Sequence, residues 1–284
     1  MDDAMLHRWG KPDTILVATN LLDAPHIRPH VIAQARLSGA KVLLVHVIQP
    51  SYLPMNPTEG LPFVLPSPTL RSVQGRLNEI VKELQCEGVL CEPVVLKGLP
   101  GEQIPALIHE RRVDRVIVAT RGAEALDRIL LGSVADDLLH QVEVPVCVVG
   151  PHVRSRASSN RKPTSILVAT SFRSQRPPSV QLAVELAALY HAHLTLLHVV
   201  SEEHTSEERC QRLRKQAQGE LAALIAERGD VQVAVTVRIR GGIPSERITA
   251  FGSKVHAETH YPRGIGQVQG FPSARYGSCP SGDC

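Results

Sequence analysis

Short apolar runs bounded by polar residues alternate with longer segments of helical spacing along the first half of the chain. Residues 14–19 and 42–48 have the length and the Val, Ile and Leu content of buried strands. Between them, 27–38 reads as a helix stopped by Gly39. In 70–87, Val73, Leu77, Ile80, Val81 and Leu84 fall on one helical face. The pattern then predicts a strand at 90–96, a helix at 102–111, a strand at 113–119, a helix at 133–141 and a strand at 144–149. Strands alternating with helices imply α/β architecture, a doubly wound parallel sheet covered by helices on both faces.

The pattern occurs twice. Thr14-Ile15-Leu16-Val17-Ala18-Thr19 returns as Ser165-Ile166-Leu167-Val168-Ala169-Thr170. Leu43-Leu44-Val45-His46-Val47-Ile48 is echoed by Leu196-Leu197-His198-Val199-Val200, and the turn Gly98-Leu99-Pro100 by Gly242-Ile243-Pro244. The offset, from Thr14 to Ser165, is that of a whole domain, so the architecture is a tandem of Rossmann-like sheets. The expected organisation is a first domain at 13–150, a basic linker at 151–163, a partial second domain at 164–258 and a disordered tail at 259–284. After Glu258 the chain turns to Gly-, Pro- and Ser-rich sequence, with no further strand and no closing apolar run. This loss of register suggests a shifted or truncated reading of the second copy.

Composition narrows the function. Aromatic residues make up 3% of the 284-residue chain, so its cores are built from Val, Ile, Leu and Ala. A net charge of +3 is too balanced for nucleic acid as the main partner. No apolar run approaches the ~18 residues of a membrane span, and the polar start lacks a signal sequence, so no membrane association and a cytoplasmic location are expected. The six cysteines form no C-x-x-C pair and read as reduced thiols. The proline-dense stretch 49–68 reads as a loop, with Tyr52, Met55 and Phe63 either packing on their own domain or meeting a partner. His191 and His193 read as a helix-to-strand turn rather than a metal pair, and His46 and His198 as one repeated fold position.

One segment carries chemistry. The strand at 113–119 ends at Val118 and Ala119 and leads to Thr120-Arg121-Gly122; Gly132-Ser133-Val134 then opens a helix. Backbone N–H groups at a glycine loop and a helix N-terminus form an anion site. The Ser133 hydroxyl can cap the helix or meet a phosphate oxygen. Such a site lies at the carboxyl end of a parallel strand, where open α/β sheets take ligands.

The spacing Ala119-x2-Gly122-x9-Gly132-Ser133, the strand at 14–19, the Leu-His-Val strand and the closing Gly-Ser-Val-Ala-Asp-Asp-Leu-Leu segment resemble the universal stress proteins. The resemblance covers the first domain fully and the second partly. It implies an adenine nucleotide, ATP or AMP with or without magnesium. Base and ribose would lie against Ala18, Thr19, Asn20 and Val47, and phosphates against Val118, Ala119, Arg121, Gly122, Gly132, Ser133 and Val134. Two residues depart from the family pattern. Ala119 replaces a glycine, which would put a methyl group beside the ligand, and Asn20 replaces an aspartate. The resemblance further implies a non-catalytic regulatory or protective role in stress response and a homodimer formed through the strand at 144–149. The alternatives are a nucleotide-free dimerisation or scaffold module and a weak ATP hydrolase, for which Glu124 and Asp127 are nearby carboxylates.

Overall fold

The computed structural model describes residues 8–49, 70–120, 132–150, 163–171, 177–200, 206–227, 233–258 and 267–268. The loop with Tyr52, Met55 and Phe63, the segment with Arg121, Gly122, Glu124 and Asp127, and most of the linker and tail lie outside these residues. The chain divides into two compact units. Residues 12–150 group with a short strand from the tail, and residues 8–11 group with 163–258.

The first unit is a parallel sheet of β1 (Thr14–Ala18), β2 (Lys41–Ile48), β3 (Cys91–Lys97), β4 (Arg115–Ala119) and β5 (Val146–Val149), in the spatial order β3-β2-β1-β4-β5. The connecting helices are α1 (Ala24–Ser38), α2 (Leu70–Cys86), α3 (Pro100–Glu110) and α4 (Ser133–Gln141). Because side chains alternate across a strand, each central strand feeds two cores. Ile15 and Val17 join the α1 and α2 residues Ile27, Val31, Leu77 and Leu84 on one face. Leu16 and Ala18 join Ile104, Leu107, Ala135 and Leu138 of α3 and α4 on the other.

Helix α1 begins at Ala24, three residues before the expected start. Pro25 lies in its first turn, where the missing N–H has no intrahelical role. Strand β4 begins at Arg115 rather than residue 113 because Val113 still donates its N–H to Ile108 O, closing the end of α3. The buried Asp114 carboxylate then accepts the N–H groups of Asp13 and Thr14, both at 3.0 Å. This clamps β1 to β4 at the amino edge of the sheet, away from the edge where ligands bind in such folds.

The second unit is smaller. Its sheet has three parallel strands, β6 (Ser165–Ala169), β7 (His193–Val200) and β8 (Val235–Gly241), in that order. Helices α5 (Pro178–Tyr190) and α6 (Glu207–Ala226) close one core around Leu194, Leu196, Val237 and Ile239. Helix α7 (Pro244–Glu258) follows. Residues 8–10 form a helical turn that belongs to this unit: Trp9 is buried, and a Cβ built on Gly10 would lie 3.0 Å from Glu185 Cβ on α5.

The stretch after Glu258, expected to hold no further strand, contributes one. Gln267–Val268 forms β9, which pairs antiparallel with the outer edge of β5 in the register Cys147↔Val268 and Val148↔Gln267. The five-strand parallel sheet therefore carries a sixth, antiparallel strand on the edge expected to pair between copies.

Candidate functional site

Strand order reverses between β1 and β4, so their carboxyl ends border the crevice where doubly wound sheets bind ligands. The register sets Ala18 beside Val118 and Ala119 beside Val149. Beyond β1, the Thr19 N–H donates to Val45 O at 3.0 Å, and beyond β4, the Thr120 N–H donates to Val149 O at 3.0 Å. Val47 is half-buried near the carboxyl end of β2, and Asn20 is exposed.

The loop after β1 is held by its own side chains. Asn20 Oδ1 accepts the N–H groups of Leu22 (2.8 Å) and Asp23 (2.9 Å), and Thr19 Oγ1 accepts that of Leu21 (2.9 Å). Leu21 has φ +72°, a left-handed conformation unusual for a side chain of its size. The Thr19 hydroxyl in turn donates to Asp23 Oδ1 at 2.5 Å. Burial raises the Asp23 carboxyl above its ordinary range, against hydrogen bonds from Thr19 and from the Asn20 and Asp23 amides that lower it. A half-buried carboxylate at this edge was not singled out from the sequence. An Asp directly before Ala-Pro at a helix start was the signal for it.

The strand-to-helix side is simpler. Gly132 is buried, and α4 starts at Ser133 with Gly132 as its N-cap. The expected capping role of Ser133 is corrected: Ser133 is the first helical residue and exposed, and among the described residues no side chain caps the helix. Gly132 has φ −67°, which any residue adopts, so its backbone does not require glycine. Among the described residues, the first amides of α4 and the Ser133 hydroxyl thus remain donors at the end of β4.

Ala119 also differs from expectation. Its side chain belongs to the core beneath α1 and α2, with Ile117, Cys147 and Val149, whereas Val118 belongs to the core on the α4 side. The methyl group is therefore part of the packing on the face opposite α4.

The two repeats share fine geometry at this edge. His46 Nδ1 lies 2.9 Å from Thr19 O, and His198 Nδ1 lies 2.6 Å from Thr170 O. Gly98 and Gly242 hold φ values of +130° and +124°, with their N–H groups donating to Ile48 O and Val200 O. These left-handed values favour glycine in both copies. His191 caps α5 in a left-handed conformation, and His193 opens β7 and meets Thr236 Oγ1 at 2.9 Å. The described residues contain no group of three or more metal-ligating side chains.

The model of the universal stress protein family matches residues 12–150 and again residues 163–258. The chain belongs to the universal stress protein family. Universal stress protein MJ0531 of Methanocaldococcus jannaschii is 29% identical over 120 residues, covering 42% of this chain and 71% of that protein. Universal stress protein MJ0577 of the same organism is 26% identical over 150 residues, covering 48% and 93%. A universal stress protein structure from Archaeoglobus fulgidus superimposes with a TM-score of 0.59 at 19% identity, covering 87% of this chain and 83% of that one. That likeness shows the shared fold. No described helix is long and apolar enough to cross a membrane.

Proposed function

We propose that the first unit binds an adenine nucleotide, ATP or AMP, as a non-catalytic regulatory or protective component of a stress response. The observation that carries this reading is the start of α4 at Gly132 and Ser133, beyond the end of β4 at the β1–β4 crevice, which no described side chain caps. Phosphate oxygens find donors in the Ser133 and Val134 amides and the Ser133 hydroxyl, with the helix dipole adding to the attraction. Arg121 and Gly122 of the connecting segment would complete this cradle by the family spacing. Base and ribose would lie along Ala18, Thr19, Asn20 and Val47, where the Asn20 amide nitrogen is a donor not used in the loop's turn.

A non-catalytic role is supported by the engagement of Asp23 with Thr19, which leaves this carboxylate poorly placed to activate water. The use of Asn20 Oδ1 to build its own loop favours the second reading, a nucleotide-free scaffold. Calorimetric titration with ATP and AMP separates the two. Ser133→Ala is expected to weaken binding about tenfold, the loss of one hydrogen bond to a charged group. Gly122→Val is expected to weaken it at least as much. Absence of heat at millimolar nucleotide overturns the proposal, and phosphate release that both variants abolish would make the protein a hydrolase.

A further inference from the structure

The loop that leaves β1 carries two leucines in succession, and they go opposite ways. Leu21 packs against the core under α1 and α2. Leu22 is 88% exposed, more than any other large apolar side chain among the described residues. The left-handed φ of Leu21 turns the chain sharply between them.

Neither residue is the choice a turn alone would favour. A positive φ selects glycine or asparagine, and solvent-facing turn positions select polar side chains. The turn is nevertheless fixed. Asn20 Oδ1 accepts the Leu22 N–H, and Thr19 Oγ1 accepts that of Leu21. Leu22 is therefore presented to solvent from a main chain already bonded at its own amide, so little order has to be gained when something covers it.

Its place in the fold narrows what that cover can be. Leu22 stands three residues beyond Thr19, whose N–H extends the pairing of β1 to Val45 O at the β1–β4 crevice. An isobutyl side chain offers apolar area and dispersion contacts but no hydrogen bond. It suits the flat face of a ring and not a phosphate or a sugar hydroxyl. In a nucleotide the base alone supplies such a face. The repeats also differ at this place: counted on from the matched Thr19 and Thr170, Leu22 corresponds to Arg173. The copy that carries the Gly122-x9-Gly132-Ser133 spacing is the one with the apolar residue.

We propose that Leu22 is a specificity residue of the nucleotide site, an apolar cover for the purine ring at the end of the crevice away from the phosphates. This rests on the nucleotide reading above and adds that the site selects its ligand by the base as well as by the phosphate.

The test compares AMP with ribose 5-phosphate, which keeps the sugar and phosphate and lacks the ring. In calorimetric titrations of the full chain, Leu22→Ser is expected to weaken AMP about fivefold and to leave ribose 5-phosphate unchanged. Leu22→Met, which keeps the apolar area, is expected to hold AMP within about twofold of wild type. Thermal melts check that both variants fold. Methyl NMR gives a second readout: the Leu22 methyl signals, identified by their loss in Leu22→Ser, should shift with AMP through the ring current and stay in place with ribose 5-phosphate. Unchanged AMP affinity in Leu22→Ser, an equal loss for both ligands, an equal loss in both variants, or Leu22 methyls unmoved by AMP would each overturn the proposal and leave the nucleotide reading standing. A wild type that binds neither AMP nor ATP overturns that reading and this proposal with it.

Discussion

The Asp23 carboxylate, at the N-cap of α1, turns back onto the Thr19 hydroxyl and makes no cap bond to its own helix. Asp and Asn normally stabilise a helix start by accepting its first amides. Here the side chain is spent on fixing the end of β1, and its charge is partly removed from water.

The raised Asp23 pKa has a defined sign. The folded state holds the proton more tightly than the unfolded chain, so stability from protonation is fully present below 3.8 and is lost as pH rises through the folded value. Asp23→Asn removes the half-buried charge and keeps an oxygen for Thr19. We expect it to raise Tm relative to wild type at pH 7 and to lose that advantage near pH 3.5. A constant difference across this range would show that burial of the charge does not set the pKa.

His30 on α1 behaves in the opposite sense. Its Nε2 is buried and has no hydrogen-bond partner among the described residues. Burial, and secondarily the neighbouring His26, lower its pKa from 6.5. The folded state therefore favours the neutral ring; its stability is present above 6.5 and declines as pH falls through the lowered folded value. Urea unfolding at pH 7.5 and 5.5 should show a smaller loss for His30→Leu than for wild type. Equal losses would assign the acid sensitivity elsewhere.

Ala119→Gly restores the family residue at the end of β4 but deletes a methyl group from the core under α1. We expect about 1 kcal/mol of lost stability in urea melts. Nucleotide affinity should be unchanged, because the methyl faces the side opposite α4. Tighter binding without loss of stability would place the methyl against the ligand instead.

Thiol reactivity should follow exposure. Cys86 is exposed, whereas Cys91 and Cys147 are buried in the sheet. Burial pushes the Cys91 thiol up to about 12 and also raises that of Cys147. Brief alkylation of the native protein, mapped by mass spectrometry, should label Cys86 well before Cys91 or Cys147. Early labelling of Cys147 would show that the β5 core opens readily.

The apolar runs made the order of strands and helices legible, because parallel strands buried on both faces have few alternatives in sequence. The tandem was legible from paired segments such as those beginning at Thr14 and Ser165. Local chemistry was harder to read. Asn20 stood out as a departure from pattern, yet its structural use lies in two amides of its own loop. Ser133 is a good capping residue by type, but the chain places it one position into the helix. The position of Trp9 in the second unit had no signal in periodicity at all, since three residues cannot show one.

Residues 8–11 leave the ribosome before the first unit does, but the unit to which they belong is encoded beyond residue 163. The α5 surface near Glu185, which Gly10 approaches, does not exist until the whole first unit has been synthesised. The five-strand sheet can therefore complete its core during synthesis while residues 8–11 wait for a much later segment. Dividing the gene between the two repeats would separate Trp9 from the unit that it helps to build.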